Sequence, residues 1–210
     1  VNLSGDPEQE YFSDGVTEDI ITDLGRVAAL YVVSRNAAFA LKGRTVAAAQ
    51  LGHEQNVSYI LEGSVRRSGA RVRITAQLVE AATDTQLWAD RFDRTLEDIF
   101  AIQDEISHAI VDALKIRLAP AEKKAIEQRV TSNAEAYELY LLARRFSRTG
   151  SERIQPLIVR LCNRMVELDP DFALAWAQLS FAEGDLSQRG VPGSSWERAL
   201  AAADRALALD

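Results

Sequence analysis

Between residues 59 and 94 the chain alternates apolar and polar side chains with a period of two. Val72, Ile74, Ala76 and Leu78 are interleaved with Arg71, Arg73, Thr75 and Gln77, which places one apolar and one wet face on a strand. Ser68-Gly69 separates a run over 60–67 from one over 70–79 and supplies the permissive backbone of a tight reversal, so a hairpin is expected. Thr83-Asp84 makes the next turn, and a strand over 86–92 returns with Trp88 and Phe92 on one face. The product is an antiparallel meander.

Upstream the period lengthens. Residues 4–15 hold turn formers and acids, and a helix is expected over 16–26, capped by Thr17, with Val16, Ile20, Ile21 and Leu24 as its buried stripe. Residues 30–34, Leu-Tyr-Val-Val-Ser, read as a short buried strand ended by Arg35-Asn36. A second helix follows over 45–55, with Ala47, Ala48 and Leu51 facing inward and Gly52 costing about 1 kcal/mol relative to alanine. Downstream of the meander, Ile99, Ile102, Ile106, Ile110 and Leu114 line one side of a helix over 97–118, with acids at its start and Lys115 and Arg117 at its end. Pro120 interrupts it, a polar helix resumes over 121–127, and Thr131-Ser132-Asn133 precedes the next segment. A domain boundary falls over 119–133.

Beyond Asn133 only the helical period remains, and it repeats. The tetratricopeptide repeat, about 34 residues long, places small or apolar residues where two helices meet and proline after the second. Leu139, Leu142, Ala143 and Phe146 fit the first helix of one pair, Ile158, Cys162 and Met165 the second, and Pro170 closes it. Trp176 and Leu179, then Ala199, Ala203 and Ala206, fit a second pair, with residues 184–195 inserted between its helices. The end of the first pair, Met165-Val166-Glu167-Leu168-Asp169, echoes in Ala206-Leu207-Ala208-Leu209-Asp210. Two pairs make a thin solenoid, so further repeats are expected after residue 210, and a homodimer through the exposed last helix stays open. The fold class is therefore α+β. A small α/β domain over 1–118, its mixed sheet including the antiparallel meander, leads through a linker helix over 119–133 to an all-α tetratricopeptide-like region over 134–210.

Composition narrows the function. The net charge of −7 argues against a nucleic-acid partner, since such surfaces need a basic stripe. A single cysteine, Cys162, cannot form an internal disulfide, which fits a reducing compartment without excluding the periplasm. No apolar run approaches the roughly 20 residues of a membrane span, and the start carries no signal-peptide pattern. The chain begins without methionine and ends within a helical pattern, as a segment of a longer protein would.

The ordered series Ser4-Gly5-Asp6-Pro7-Glu8-Gln9-Glu10-Tyr11-Phe12-Ser13-Asp14-Gly15, Leu61-Glu62-Gly63-Ser64-Val65-Arg66-Arg67, Val72-Arg73-Ile74-Thr75-Ala76-Gln77-Leu78 and Leu87-Trp88-Ala89-Asp90-Arg91-Phe92-Asp93 carries a resemblance. It resembles the region downstream of the catalytic domain in many bacterial class III adenylate cyclases, and the sensor region of some winged-helix transcriptional regulators. The α/β part is similar to the amino-terminal domain of the periplasmic Tol translocation protein. The resemblance implies a first strand upstream of Val1, tetratricopeptide repeats after the α/β domain, and an accessory role without cyclase catalytic motifs. The region over 46–56 departs from the family's arginine-rich spelling. A cytoplasmic location follows from the cyclase layout, with the periplasm as the alternative.

Candidate chemistry is sparse. His53 and His108 lie on different expected helices and assemble no triad or zinc set, so catalytic and metal residues are none and no cofactor is expected. Asp6, Glu8, Glu10 and Asp14 lack the glycine and terminal glutamate of a calcium loop. Gly63 and Gly69 flank strands and so make no phosphate cradle. Arg66, Arg67, Arg71 and Arg73 cluster at the hairpin as a minor candidate for anion binding, against a charge-guarded edge. Tyr137, Tyr140, Arg144 and Phe181 are expected on the concave side of the helix pairs as the protein-contact surface, with packing of the rings as the competing reading. The function indicated is a non-catalytic, protein-binding region of a cyclase. The alternatives are a winged-helix regulator's sensor region, a stand-alone scaffold, or an α/β domain that senses a small ligand.

Overall fold

A computed structural model describes residues 1–44, 46–126, 129–148 and 152–209. The chain divides into two compact units, Val1–Gln128 and Arg129–Asp210. The first holds a sheet of β1 (Tyr59–Ser68), β2 (Arg71–Glu80) and β3 (Thr85–Thr95), antiparallel in the order β1-β2-β3. Ser68 pairs with Arg71 across the first reversal, where Gly69 takes a positive φ of 58° that a side chain would strain. The β2–β3 register slips after the Leu78–Trp88 pair, because Val79 next meets Gln86 and Leu87 is left over as a bulge. Val72, Ile74, Ala76 and Leu78 are buried as the alternation predicts. The mixed sheet is corrected: the three strands are wholly antiparallel, and among the described residues parallel pairing is limited to a bridge between Asn2 and Val65. There the Leu3 amide donates to the Val65 carbonyl at 2.7 Å, and the Val65 amide to the Val1 carbonyl at 2.8 Å.

The apolar face of the sheet is covered by α4 (Ile99–Ala113), which also meets α1 (Glu10–Gly25). The first helix starts earlier than its acids and turn formers suggest. Asp6 and Pro7 set its entry, the Asp6 carboxylate accepting from the Glu8 amide at 2.9 Å. Phe12, Val16, Ile20 and Leu24 then bury a stripe four residues apart. Thr17 is inside this helix, not at its cap, its hydroxyl donating to the Ser13 carbonyl at 2.9 Å.

The strand expected over 30–34 does not form. Tyr31 is exposed, and no ladder partner lies beside it among the described residues, so β propensity there has nothing to pair with. Ser34 instead caps α2 (Arg35–Ala40), its hydroxyl accepting from the Ala37 amide at 3.3 Å. The helix expected over 45–55 is α3 (Ala48–Gln55), with Thr45 outside the described residues and Ala47 exposed at its cap. Gly52 is the buried residue of α3: a Cβ there would stand 2.5 Å from the Ala81 Cβ. Its helix penalty is thus exchanged for a close approach to the end of β2.

The helix expected over 97–118 ends at Ala113, where Lys115 turns left-handed at φ 54°. The segment expected as a linker forms α5 (Pro120–Ile126), whose Ile126 packs with Val27 and Val111. Glu122 holds this helix to the α1 exit by accepting from the Ala28 amide at 2.8 Å. On α1, Asp23 lies near Asp19 and Asp104, with Arg26 3.3 Å away. Burial, opposed by Arg26 and reinforced by the two neighbouring carboxylates, pushes its acid up from 3.8 to about 7. The folded state therefore binds more protons between pH 4 and 7, and stability falls as pH rises through that window. Asp23→Asn should flatten the fall, gaining on the order of 1 kcal/mol at pH 7.5 after allowance for solvent screening. Urea midpoints at pH 4.5 and 7.5 would check it; an unchanged slope contradicts the assignment.

Among its described residues the second unit holds helices joined by turns and no strand: α6 (Ala134–Arg148), α7 (Gln155–Leu168), α8 (Ala173–Gln188) and α9 (Trp196–Leu209), each packing on the next. Ala136, Ala143, Ile158, Cys162, Met165, Phe172, Leu179, Ala182 and Ala202 form one buried cluster. Ala199 and Ala202 are the buried alanines of α9; Ala203 and Ala206 are half-covered. The insertion expected over 184–195 begins later, because α8 continues to Gln188. Gly184 lies inside this helix, where a Cβ would make only ordinary contact with the Trp196 ring at 3.5 Å and Ala199 at 4.0 Å. Pro170 follows α7 as expected of a residue that cannot continue a helix, and its carbonyl accepts from the Trp176 indole at 2.9 Å.

Candidate functional site

The start of α6 is fixed by a polar relay. The Asn133 side chain accepts from the Ala136 amide at 3.0 Å, Thr131 accepts from the Asn133 amide at 3.1 Å, and the Thr131 hydroxyl donates to Asp169. With the helix phase so set, the four residues expected on one contact surface separate. Tyr137 is 0% exposed and belongs to the core with Leu141, so it cannot meet a partner. Its neighbours one step around the helix behave differently: the Arg144 guanidinium lies 5.2 Å over the Tyr140 ring. Tyr140 is itself braced edge-on against Phe172, ring centres 5.3 Å apart.

Phe181 on α8 is 70% exposed. One turn earlier, the Gln178 amide donates to the Ser147 hydroxyl on α6 at 3.2 Å. Since 144 and 147, and 178 and 181, share helix faces, this bond brings the Tyr140–Arg144 stack and Phe181 onto adjoining faces. The surface therefore consists of a braced ring, its guanidinium and an uncovered phenyl group, which suits contact with another polypeptide.

A cleft in this unit, about 190 Å³, is lined by Pro156, Val159, Leu186 and the Glu183–Arg198 pair. Glu183 is buried, and Arg198 meets both of its carboxylate oxygens at 3.1 Å. The bidentate pair ties α8 to α9 across the cleft floor.

The sheet arginines also part company. Arg66 and Arg73 are directly opposite on the open face, and Arg73 is opposite Asp93, to which its Nε donates at 2.9 Å. Arg67 alternates to the other face, where its guanidinium lies 5.5 Å from the Phe12 ring centre. Arg91, which the hairpin reading missed, joins the open face: it is opposite Thr75, two positions from Asp93. Counting register across the meander, beyond the first hairpin, would have found it.

The remaining candidates are accounted for by structure. Lys42 pairs with both Glu10 and Asp14, and Asp6 serves the turn before α1. His53 is exposed, and the His108 Nδ1 lies 2.8 Å from the Asp104 carbonyl one turn back. Burial raises the Cys162 thiol to about 12, so the thiolate is not formed at neutral pH. Among the described residues no group of three or more His, Cys, Asp or Glu could hold a metal ion, and no helix is long and apolar enough to cross a membrane.

No family model matches the sequence. A curated bacterial protein is similar to it. Over 183 residues the chain is 46% identical to a protein of Rhizobium meliloti (strain 1021) named "Putative adenylate cyclase 3". The similarity covers 85% of this chain and spans about 30% of the relative's length. It thus takes in most of this chain while matching a minor part of the larger protein, as an accessory region would.

Proposed function

We propose that this chain is a non-catalytic regulatory region of a bacterial signalling protein of the class III adenylate cyclase type. Its helix pairs act as tetratricopeptide-like repeats that hold a protein partner on the surface formed by Tyr140, Arg144 and Phe181. The observation that carries this reading is the 46% identity to a protein named as a cyclase, over a stretch that is only 30% of that protein. The exposure of Phe181 beside the braced Tyr140–Arg144 stack supports the contact role, since aromatic and arginine side chains are enriched at binding hot spots. The region is cytoplasmic in this reading, on the side where ATP is available. Catalysis belongs to other parts of the parent, so the isolated chain given ATP and a divalent cation produces no cyclic AMP. Measurable, saturable turnover by the isolated chain would refute the accessory role.

A further inference from the structure

The open face of the sheet carries a charge arrangement that the fold itself does not require. The alternation that buries Val72 and Ile74 sends Arg71 and Arg73 outward on β2. Pairing register adds Arg66 from β1, opposite Arg73, and Arg91 and Asp93 from β3, opposite Thr75 and Arg73. All four arginines are exposed. Among them stands Asp93, bonded by Arg73 and in the field of Arg71 and Arg91 as well, while Glu62 further along the same face of β1 accepts from Gln77 at 2.9 Å and the Arg66 Nε donates to the Leu3 carbonyl at 3.2 Å. Like charges directly opposite on neighbouring strands destabilise a sheet, and Arg66 against Arg73 is such a pair. The cluster is basic in a chain whose net charge is −7. A local conflict kept where stability alone would select against it marks a functional surface.

The chemistry of the face selects the ligand class. Guanidinium groups match carboxylates with paired hydrogen bonds in one plane. The outward positions between Ser64 and Ser68, Arg71 and Thr75, and Arg91 and Thr95 carry no aromatic ring and no large apolar side chain. Single-stranded nucleic acid would need rings to stack on, and a bilayer would need apolar groups to insert. Along a strand, outward residues two apart are separated by roughly 6.8 Å, and alternate side chains of an extended peptide have that same spacing. We propose that this face docks an extended acidic segment of a partner protein, with carboxylates at alternate positions meeting Arg71 and Arg73 along β2 while Arg66 and Arg91 flank them. The surface is in the sheet unit, so it does not rest on the helix-pair reading.

The test is fluorescence anisotropy of a labelled peptide alternating glutamate and serine, titrated with the full chain at low ionic strength. Saturable binding is expected, weakened at least tenfold by Arg71→Gln with Arg91→Gln, a variant that keeps the Arg73–Asp93 pair and alters only exposed side chains. Arg117→Gln with Arg160→Gln removes the same charge from exposed positions elsewhere and should change binding less than twofold. The proposal is overturned if no saturable binding occurs, if the two double variants weaken it equally, or if duplex DNA or phosphatidylserine vesicles bind the chain more tightly than the peptide.

Discussion

Phe172→Ala is expected to destabilise the helix-pair unit by about 3–5 kcal/mol, the loss typical of a buried phenylalanine replaced by alanine. Phe172 is 0% exposed and shares its cluster with Ala136, Ile158, Cys162 and Met165, residues drawn from α6 and α7, while standing itself at the cap of α8. Its carbonyl also receives the first amides of α8, from Ala175 at 3.0 Å and Trp176 at 3.3 Å. Deleting the ring therefore opens a cavity at a junction of three helices. Because Tyr140 packs edge-on against Phe172, the same change should loosen the Tyr140–Arg144 stack. Hydrogen exchange read by mass spectrometry, peptide by peptide, gives the free energy within α6–α8. A loss below about 1 kcal/mol would show that the cluster closes over the gap and that the ring is not central. Phe172→Leu, which keeps most of the volume, should recover the larger part of the loss.

Phe12→Ala should have a comparable effect in the sheet unit, again about 3–5 kcal/mol. Phe12 is 0% exposed and begins the α1 stripe that continues through Val16, Ile20 and Leu24. Its ring also receives the Arg67 guanidinium, so the substitution removes a cation–π contact along with apolar contact. The signature is a loss of amide protection in β1, β2 and α4, the elements that share this core. Retained protection there would mean that the sheet and α4 are stable without α1.

These two residues also show what the sequence makes legible. The meander was readable because its period of two is specific and its turns contain Gly69 and Asp84, both at positive φ. Phe12 was harder, since Ser13-Asp14-Gly15 resembles a loop while its neighbours, at four-residue spacing, carry the helix through it. Residues 31–33 have strand composition yet no adjacent ladder, and propensity alone does not supply a partner. Gly52 looked like a defect until its distance to Ala81 gave it a reason, which is a tertiary fact. The contact surface depended on helix phase: Tyr137 and Tyr140 are three residues apart, enough to place one in the core and the other against Arg144. Arg91 is not legible from the hairpin sequence, because the sheet groups arginines across strands that lie apart along the chain.

The most direct test is made in the intact parent protein, carrying Tyr140→Ala, Arg144→Ala and Phe181→Ala together and compared with the unaltered protein for cyclic AMP output and its response to partner. Under the accessory role proposed above, catalysis lies outside these three side chains, so the expected result is an unchanged basal rate with the partner's effect reduced at least tenfold. An unaltered response, or a basal rate that collapses while the fold is retained, would contradict a regulatory contact at this surface.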